Sequence, residues 1–299
     1  MSLSWHRSFK DFETYLRLEK SLSENSISAY LDDVNKLELF FNEAKPGILP
    51  QSVTYNNLKD FLIWFAGNNN NTRTQSRTLS GIRAYFRFLL IEGEISSNPS
   101  ALIESPKIGF RLPDVVSVEE IDTMISIIDL SKPEGHRNKA IIETIYGCGL
   151  RVSELISIRI TDIHTKERFI TVTGKGNKQR LVPVSRKALK EIEIYMRYRS
   201  RMQVIHDNNI LFLNRRGKKL TRAMIFHIIK ELAAGAGIKK NVHPHTFRHS
   251  FATHMIQAGA DLRAVQEMLG HESILTTEIY THIDRTFLRD QINLFHPRA

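Results

Sequence analysis

The sequence predicts a mainly helical protein of two domains, a four-helix bundle followed by an α+β domain with a small antiparallel sheet. Three observations carry this expectation. Apolar residues recur at helical spacing along most of the chain, a single pair of β-rich runs interrupts that pattern around residue 175, and a polar, proline-punctuated stretch at about 96–113 separates two regions of different charge. With 299 residues the chain is long enough for each domain to bury its own core.

Phe9, Phe12 and Leu16 open a first helix, and Ile27, Tyr30, Leu31, Val34, Leu37 and Phe41 sustain a second behind Ser26 as the candidate N-cap. Leu58, Phe61, Leu62 and Phe65 make a third. The loop Gly67 to Asn71 breaks it before Leu79, Ile82, Phe86, Leu89 and Leu90 resume the pattern. Prolines at 99, 106 and 113 then discourage continuous helix and mark the linker. Beyond it, Ser117 and Glu120 fit a capping box, and a further helix runs from about Asn138 to Tyr146, stopping at Gly147 and Gly149. RFITVTG and KQRLVPVS flank Gly174 to Asn177 as a hairpin with a Gly/Asn turn. Helices are expected again at about 186–202, 221–236, 246–258 and 261–269.

Composition excludes several classes. Hydrophobic residues make up 41% and charged residues 25%, with no apolar run long enough to span a membrane. The N-terminus is amphipathic and charged rather than signal-like, and a single cysteine, Cys148, cannot form an internal disulfide. A soluble cytoplasmic protein without membrane association is expected. Net charge is +10. Residues 1–106 hold 11 basic and 12 acidic side chains, so the whole excess, net +11, lies in residues 107–299, together with eleven of the twelve histidines. Such an excess favours polyanionic partners, although a solvated basic surface carries the same charge. Within the near-neutral bundle the cations concentrate on the fourth helix, where Arg73, Arg77, Arg83 and Arg87 stand among Thr and Ser residues able to meet phosphates.

In GCGLRVSEL, Arg151 stands where a new helix begins, with Ser153 as a nearby cap candidate; a plain salt bridge to Glu154 is the ordinary alternative. Lys175 sits between two glycines at the hairpin tip, where most lysines are merely solvated. In HPHTFRH a helix after Pro244 holds His245 and Arg248 three apart on one face, a titratable imidazole beside a permanent cation. His245, His249 and His254 also invite a metal reading. The glutamate of H-E-x-x-H is missing and Arg248 would set a fixed cation beside the metal, so that reading is the weaker one. Last comes LGHESILTTEIYTH, where Gly270 and His271 close one helix and Thr276 or Thr277 opens a short one carrying Tyr280.

Taken together, Arg151, Lys175, His245, Arg248, His271 and Tyr280 occur in the order and approximate spacing of the tyrosine recombinases, the lambda-integrase family. SPK and RLP in the linker, GADLRAVQEMLGH and ILTTEIYTHI resemble the Xer-type chromosome-dimer resolvases, and the resemblance covers essentially the whole chain. Phe247 stands where many relatives carry leucine.

The resemblance implies a SAM-like core-DNA-binding domain at 1–106 and a catalytic domain at 107–299, clamped on opposite faces of a duplex. It implies metal-, cofactor- and ATP-independent cleavage in which Tyr280 forms a 3′-phosphotyrosyl link. Arg151 and Arg248 would neutralise the non-bridging oxygens, Lys175 would protonate the leaving 5′-oxygen, His245 would assist proton transfer at the tyrosine, and His271 would hydrogen-bond the phosphate. Glu154 would hold Arg151 from behind. Expected partners are a double-stranded recombination site, homologous or sister recombinase subunits in a tetramer, and a septal DNA translocase. The apolar residues Phe287, Leu288, Ile292, Leu294 and Phe295 would dock on a neighbouring subunit, with packing in cis as the alternative. A mobile-element or phage integrase, a type IB topoisomerase and a non-catalytic DNA-binding regulator are the competing functions.

Overall fold

The computed structural model describes residues 4–106, 109, 114–174, 178–270 and 285–299. The chain divides into two compact units, Met1–Arg111 and Leu112–Ala299. Lys175, His271, Tyr280 and the short helix expected at Thr276 or Thr277 lie outside the described residues.

The first unit is the four-helix bundle: α1 (Trp5–Leu18), α2 (Glu24–Ala44), α3 (Tyr55–Gly67) and α4 (Thr72–Ile91). Phe12, Phe61, Tyr85 and Phe86 are completely buried, and each aromatic ring removed from water contributes roughly 1.5–3 kcal/mol. The cap of α2 is Ser23, not Ser26: the Ser23 hydroxyl accepts the backbone N–H of Ser26, which already sits in the first turn. The apolar stripe begins only at Ile27, so the pattern alone placed the start three residues late. Helices α2 and α4 approach closely, since a Cβ on Gly81 would lie 2.6 Å from a carboxylate oxygen of Asp33. The expected linker is not free of the bundle, since Ser100 and Ile103 are buried and Ile103 joins the bundle core.

The second unit contains α5 (Val118–Ser126), α6 (Pro133–Gly147), the one-turn α7 (Val152–Leu155), then β1 (Ile163–His164), β2 (Phe169–Thr173) and β3 (Gln179–Pro183). After the sheet come α8 (Arg186–Arg199), α9 (Arg222–Gly235), α10 (Pro244–Gln257), α11 (Leu262–Leu269) and α12 (Arg285–Phe295). The Ser117–Glu120 capping box forms as expected. Helix α6 starts earlier than the apolar pattern indicates, because Pro133 fixes its first turn and Gly135 lets that turn close against the carbonyl of Asp129. It is the central helix, with Ile141, Ile142, Ile145 and Tyr146 buried, and it packs on α8 and α10.

Among the described residues the sheet is antiparallel in the order β1-β2-β3, with Ile170 opposite Val182 and Val172 opposite Arg180. The backbone N–H of Gly174 closes the hairpin on the carbonyl of Lys178 at 2.8 Å. Two-residue β1 was not foreseen, being too short to show alternation.

The C-terminal helix takes the cis packing given above as the alternative. Leu288 and Ile292 of α12 are buried in the core of their own unit, and Phe295 packs against the same core, so these residues dock in cis; Leu294 and half-exposed Phe287 face outward. The chain end reinforces the docking, because Arg298 is buried and pairs with Glu143 of α6 and Asp122 of α5. Apolar periodicity shows that a helix has a sticky face, but not which copy of the chain supplies the surface beneath it.

Candidate active site

Three guanidinium groups converge on the C-terminal end of α11. That end is a left-handed cap at Gly270, whose φ is +62°. A helix ends with unpaired carbonyls and a partial negative charge, so cations are favoured there. Arg180 Nε donates to Met268 O at 3.2 Å, Arg248 Nη2 donates to Leu269 O, and Arg151 Nη2 donates to Gly270 O at 2.9 Å. Successive carbonyls of one turn are thus each met by a different arginine, drawn from α10, from β3 and from the residue preceding α7.

Beneath the arginines lies Glu154, 3% exposed. Its carboxylate accepts the backbone N–H of Arg151 at 2.9 Å and Arg151 Nη1 at 2.9 Å. The same carboxylate takes the fork of Arg180, Nη1 at 2.7 Å and Nη2 at 3.0 Å. Burial by itself would raise the carboxyl's pKa, but the hydrogen bonds from Arg180 and Arg151 outweigh it and hold it below the usual carboxylate range. The group turning back to cap the start of α7 is therefore Glu154, and Ser153 is not the cap.

Arg248 is 9% exposed, with Nη1 on the carbonyl of Gly149 at 2.8 Å. Gly149 has φ +59°, and a Cβ there would fall 2.6 Å from the ring of Phe251. Only glycine lets the chain turn closely enough for its carbonyl to meet Arg248. Burial first, then the like charges of Arg151 and Arg180, lower the Arg248 pKa to about 10, which leaves it cationic at neutral pH. Arg151 itself is half-buried, at the edge of an open cleft of about 800 Å³ lined also by Glu154, Thr173, Arg180 and Gly270.

His245 stands exposed on the first turn of α10, one turn before Arg248. His254, considered above for a metal, instead meets the Tyr146 hydroxyl through Nδ1 at 2.7 Å, and burial lowers its pKa. Among the described residues no group of three or more His, Cys, Asp or Glu side chains is placed to hold a metal ion.

Sequence reasoning missed Arg180. The signal was present: in KQRLVPV it shares the inward face of β3 with buried Val182, and a charge on an inward face requires a buried partner.

The bundle arginines divide into two kinds. Arg77 forms a two-pronged pair with Asp33, at 3.0 and 2.6 Å, and Asp33 also takes Lys36 and Thr78. Arg83 donates to Ile103 O and to Ser105 Oγ, tying the following segment to α4. Arg73 and Arg87 are exposed, as is Arg77 beside its pairing with Asp33. Arg83 and Arg87 line a cleft of about 630 Å³ with Lys20, Tyr30, Ser80 and Asn98.

Comparison with known proteins places the chain. Residues 114–286 match the model of the Phage integrase family, and residues 9–93 match that of the Phage integrase, N-terminal SAM-like domain. Tyrosine recombinase XerD of Staphylococcus haemolyticus strain JCSC1435 is 40% identical over 291 residues, covering 97% of this chain and 98% of that one. Tyrosine recombinase XerD of Chlorobaculum tepidum is 38% identical over 299 residues, covering 99% and 98%. In fold, the chain is similar to the XerH site-specific recombinase crystallised on a palindromic difH substrate as a post-cleavage complex, with a TM-score of 0.72, 22% identity and coverage of 97% of this chain and 82% of that one. The chain belongs to the phage integrase family, and within it to the Xer-type tyrosine recombinases, enzymes that cut and rejoin DNA.

Proposed function

We propose that this protein recombines duplex DNA at a specific site through a 3′-phosphotyrosyl intermediate on Tyr280, working in an assembly of recombinase subunits that resolves chromosome dimers. The observation that supports this most strongly is the convergence of Arg151 and Arg248, far apart in sequence, on adjacent carbonyls at the end of α11. Each guanidinium carries more N–H donors than its two protein contacts use, which leaves directed charge for the non-bridging oxygens of a phosphodiester. Arg151, at the cleft edge, meets the incoming phosphate first, and Arg248 holds the same end from the buried side. Because Glu154 is kept anionic beneath Arg151, the guanidinium is oriented before DNA arrives, and no reorganisation is needed as charge builds in the transition state.

In this reading Lys175 is the general acid on the leaving 5′-oxygen, since an ammonium gives up a proton far more readily than a guanidinium. His245 takes part in proton transfer at Tyr280, and His271 hydrogen-bonds the phosphate. The first unit, the core-binding domain of about residues 1–106, contacts the duplex through Arg73, Arg77, Arg83 and Arg87 of α4, of which Arg77 and Arg83 also hold partners within the unit, and residues from about 107 onward form the catalytic domain. The protein acts in the cytoplasm, with a septal DNA translocase as its regulator.

The test is covalent trapping. Sequencing the DNA caught on wild-type protein identifies the site, and a nicked duplex carrying that site then serves as substrate. Tyr280→Phe is expected to bind it normally and to yield no adduct surviving denaturation; a persistent adduct rejects Tyr280 as the nucleophile. Relaxation of a supercoiled plasmid without strand exchange would instead mark a topoisomerase.

A further inference from the structure

We propose that Arg180 is a positioning residue for DNA cleavage: by gripping Glu154 with both Nη atoms and the end of α11 with Nε, it fixes the direction in which Arg151 is presented to the phosphate. The inference rests on the reading of Arg151 as a phosphate-binding group.

Geometry carries the argument. Arg180 lies on β3, its side chain 15% exposed, and all three of its nitrogens are committed: Nη1 and Nη2 to the Glu154 carboxylate, Nε to Met268 O. A two-pronged guanidinium–carboxylate pair fixes the plane of the carboxylate as well as its distance. Glu154 Oε1 is shared between Arg180 Nη1 and Arg151 Nη1, and Oε2 between Arg180 Nη2 and the Arg151 backbone N–H. Arg180 therefore sets the plane from which Arg151 hangs, at both its backbone and its side chain.

The packing leaves no slack. A Cβ on Gly270 would lie 2.9 Å from Arg180 Nε, so the guanidinium runs hard against the residue whose carbonyl takes the other arm of Arg151. Both attachments of Arg151, to Glu154 and to Gly270, thus abut Arg180. The charged groups around Glu154 are Arg151 before α7, Arg180 on β3 and Arg248 on α10, with Lys178 and Glu267 on the same cleft. Of these, Arg180 makes the shortest contact and is the strongest influence keeping the buried carboxyl ionised. A carboxyl without it would protonate more readily and release Arg151.

The experiment uses full-length protein and the nicked duplex recovered by trapping, reading DNA affinity and single-turnover cleavage separately. Because a misplacement of about 1 Å in a catalytic group costs up to ~100-fold, Arg180→Ala is expected to cleave at least about tenfold more slowly, with affinity within about twofold of wild type. Arg180→Lys restores charge without the fork and is expected to recover only part of the rate. Since two of its three nitrogens act through Glu154, Arg180→Ala should slow Glu154→Gln by much less than it slows wild type. Arg180→Ala should also lose cleavage toward acid pH where wild type does not, and Glu154→Gln should abolish that acid limb.

A wild-type rate in Arg180→Ala, additive effects in the double variant, or affinity falling in step with rate would overturn the proposal, the last because it would mean direct DNA contact. Should Arg180→Ala fail to fold, Arg180→Lys decides: slower cleavage at unchanged affinity supports positioning, and a wild-type rate rejects it. Arg151→Ala is run alongside. If it still cleaves, the reading of Arg151 itself fails; if it is inactive while Arg180→Ala is not slowed, only the positioning inference fails.

Discussion

Asp33 in the first unit and Glu154 in the second are each buried against an arginine, and these two pairs do different work. In the bundle, Asp33 is 1% exposed and takes Arg77, Lys36 and Thr78 between α2 and α4, where Gly81 leaves room for its carboxylate. In the second unit, Glu154 takes Arg151 and Arg180 beside a cleft. Asp33 satisfies donors that hold two helices at a fixed distance, so its energy goes into the fold. Glu154 holds a guanidinium whose remaining donors lie at a cleft edge, so its energy goes into aim. An arginine–carboxylate pair therefore says little about function until the guanidinium's other N–H groups are followed to where they end.

Four substitutions or titrations sharpen or break this contrast. The largest effect is expected from Arg248→Ala, because loss of one oxyanion donor typically costs about 2.7–4 kcal/mol, or 10²–10³ in rate. Single-turnover cleavage of the nicked duplex measures it, and a wild-type rate would reduce Arg248 to a brace between Gly149 and Leu269. Next, Arg77→Ala leaves a buried carboxylate short of its main partner and is expected to destabilise the bundle by about 1.5–3 kcal/mol, the range for hydrogen bonds to charged groups. Denaturant unfolding measures that, while cleavage by the bound enzyme should stay unchanged. A cleavage defect at saturating DNA with intact stability would erase the distinction between the two pairs.

The third effect concerns pH. The Glu154 pKa is depressed in the folded protein, so its stabilising contribution is fully present above the unfolded value of about 4.3 and is lost as pH falls through that value toward the folded one. Thermal unfolding of Glu154→Gln and wild type, followed from pH 7 downward, should therefore converge in acid; a constant gap would mean that the carboxylate's charge is not what holds the arginines. The smallest effect is expected from Arg73→Ala and Arg87→Ala. Each should flatten the salt dependence of DNA binding by about one phosphate contact without changing stability. An unchanged slope would move the bundle's DNA-facing surface elsewhere.

Much was legible beforehand because it is local. Helical periodicity located α1 to α4, the Ser117–Glu120 box opened α5, and the alternation in RFITVTG and KQRLVPVS gave β2 and β3. Where the reading slipped, a second signal outweighed the one used. Ser23 rather than Ser26 caps α2 because a cap is set by backbone geometry, not by the first apolar residue; Pro133 rather than Asn138 begins α6 because its first turn is polar; and β1 is too short to alternate.

The arginines trace the same boundary. The sequence by itself determined that the chain is basic beyond residue 106, that Arg151 and Arg248 stand in recombinase-like surroundings, and that Glu154 lies one helical turn from Arg151. Those are matters of composition and short spacing. Only the tertiary structure decided that Arg180 joins them, that Arg77 pairs with Asp33 and Arg83 with Ile103 and Ser105, and that α12 packs on its own unit. Each of these depends on which distant carbonyl or carboxylate comes within about 3 Å of a donor. That distance is set by the packing of whole elements, and a hydrogen bond between residues far apart in the chain leaves no trace in the residues that flank it.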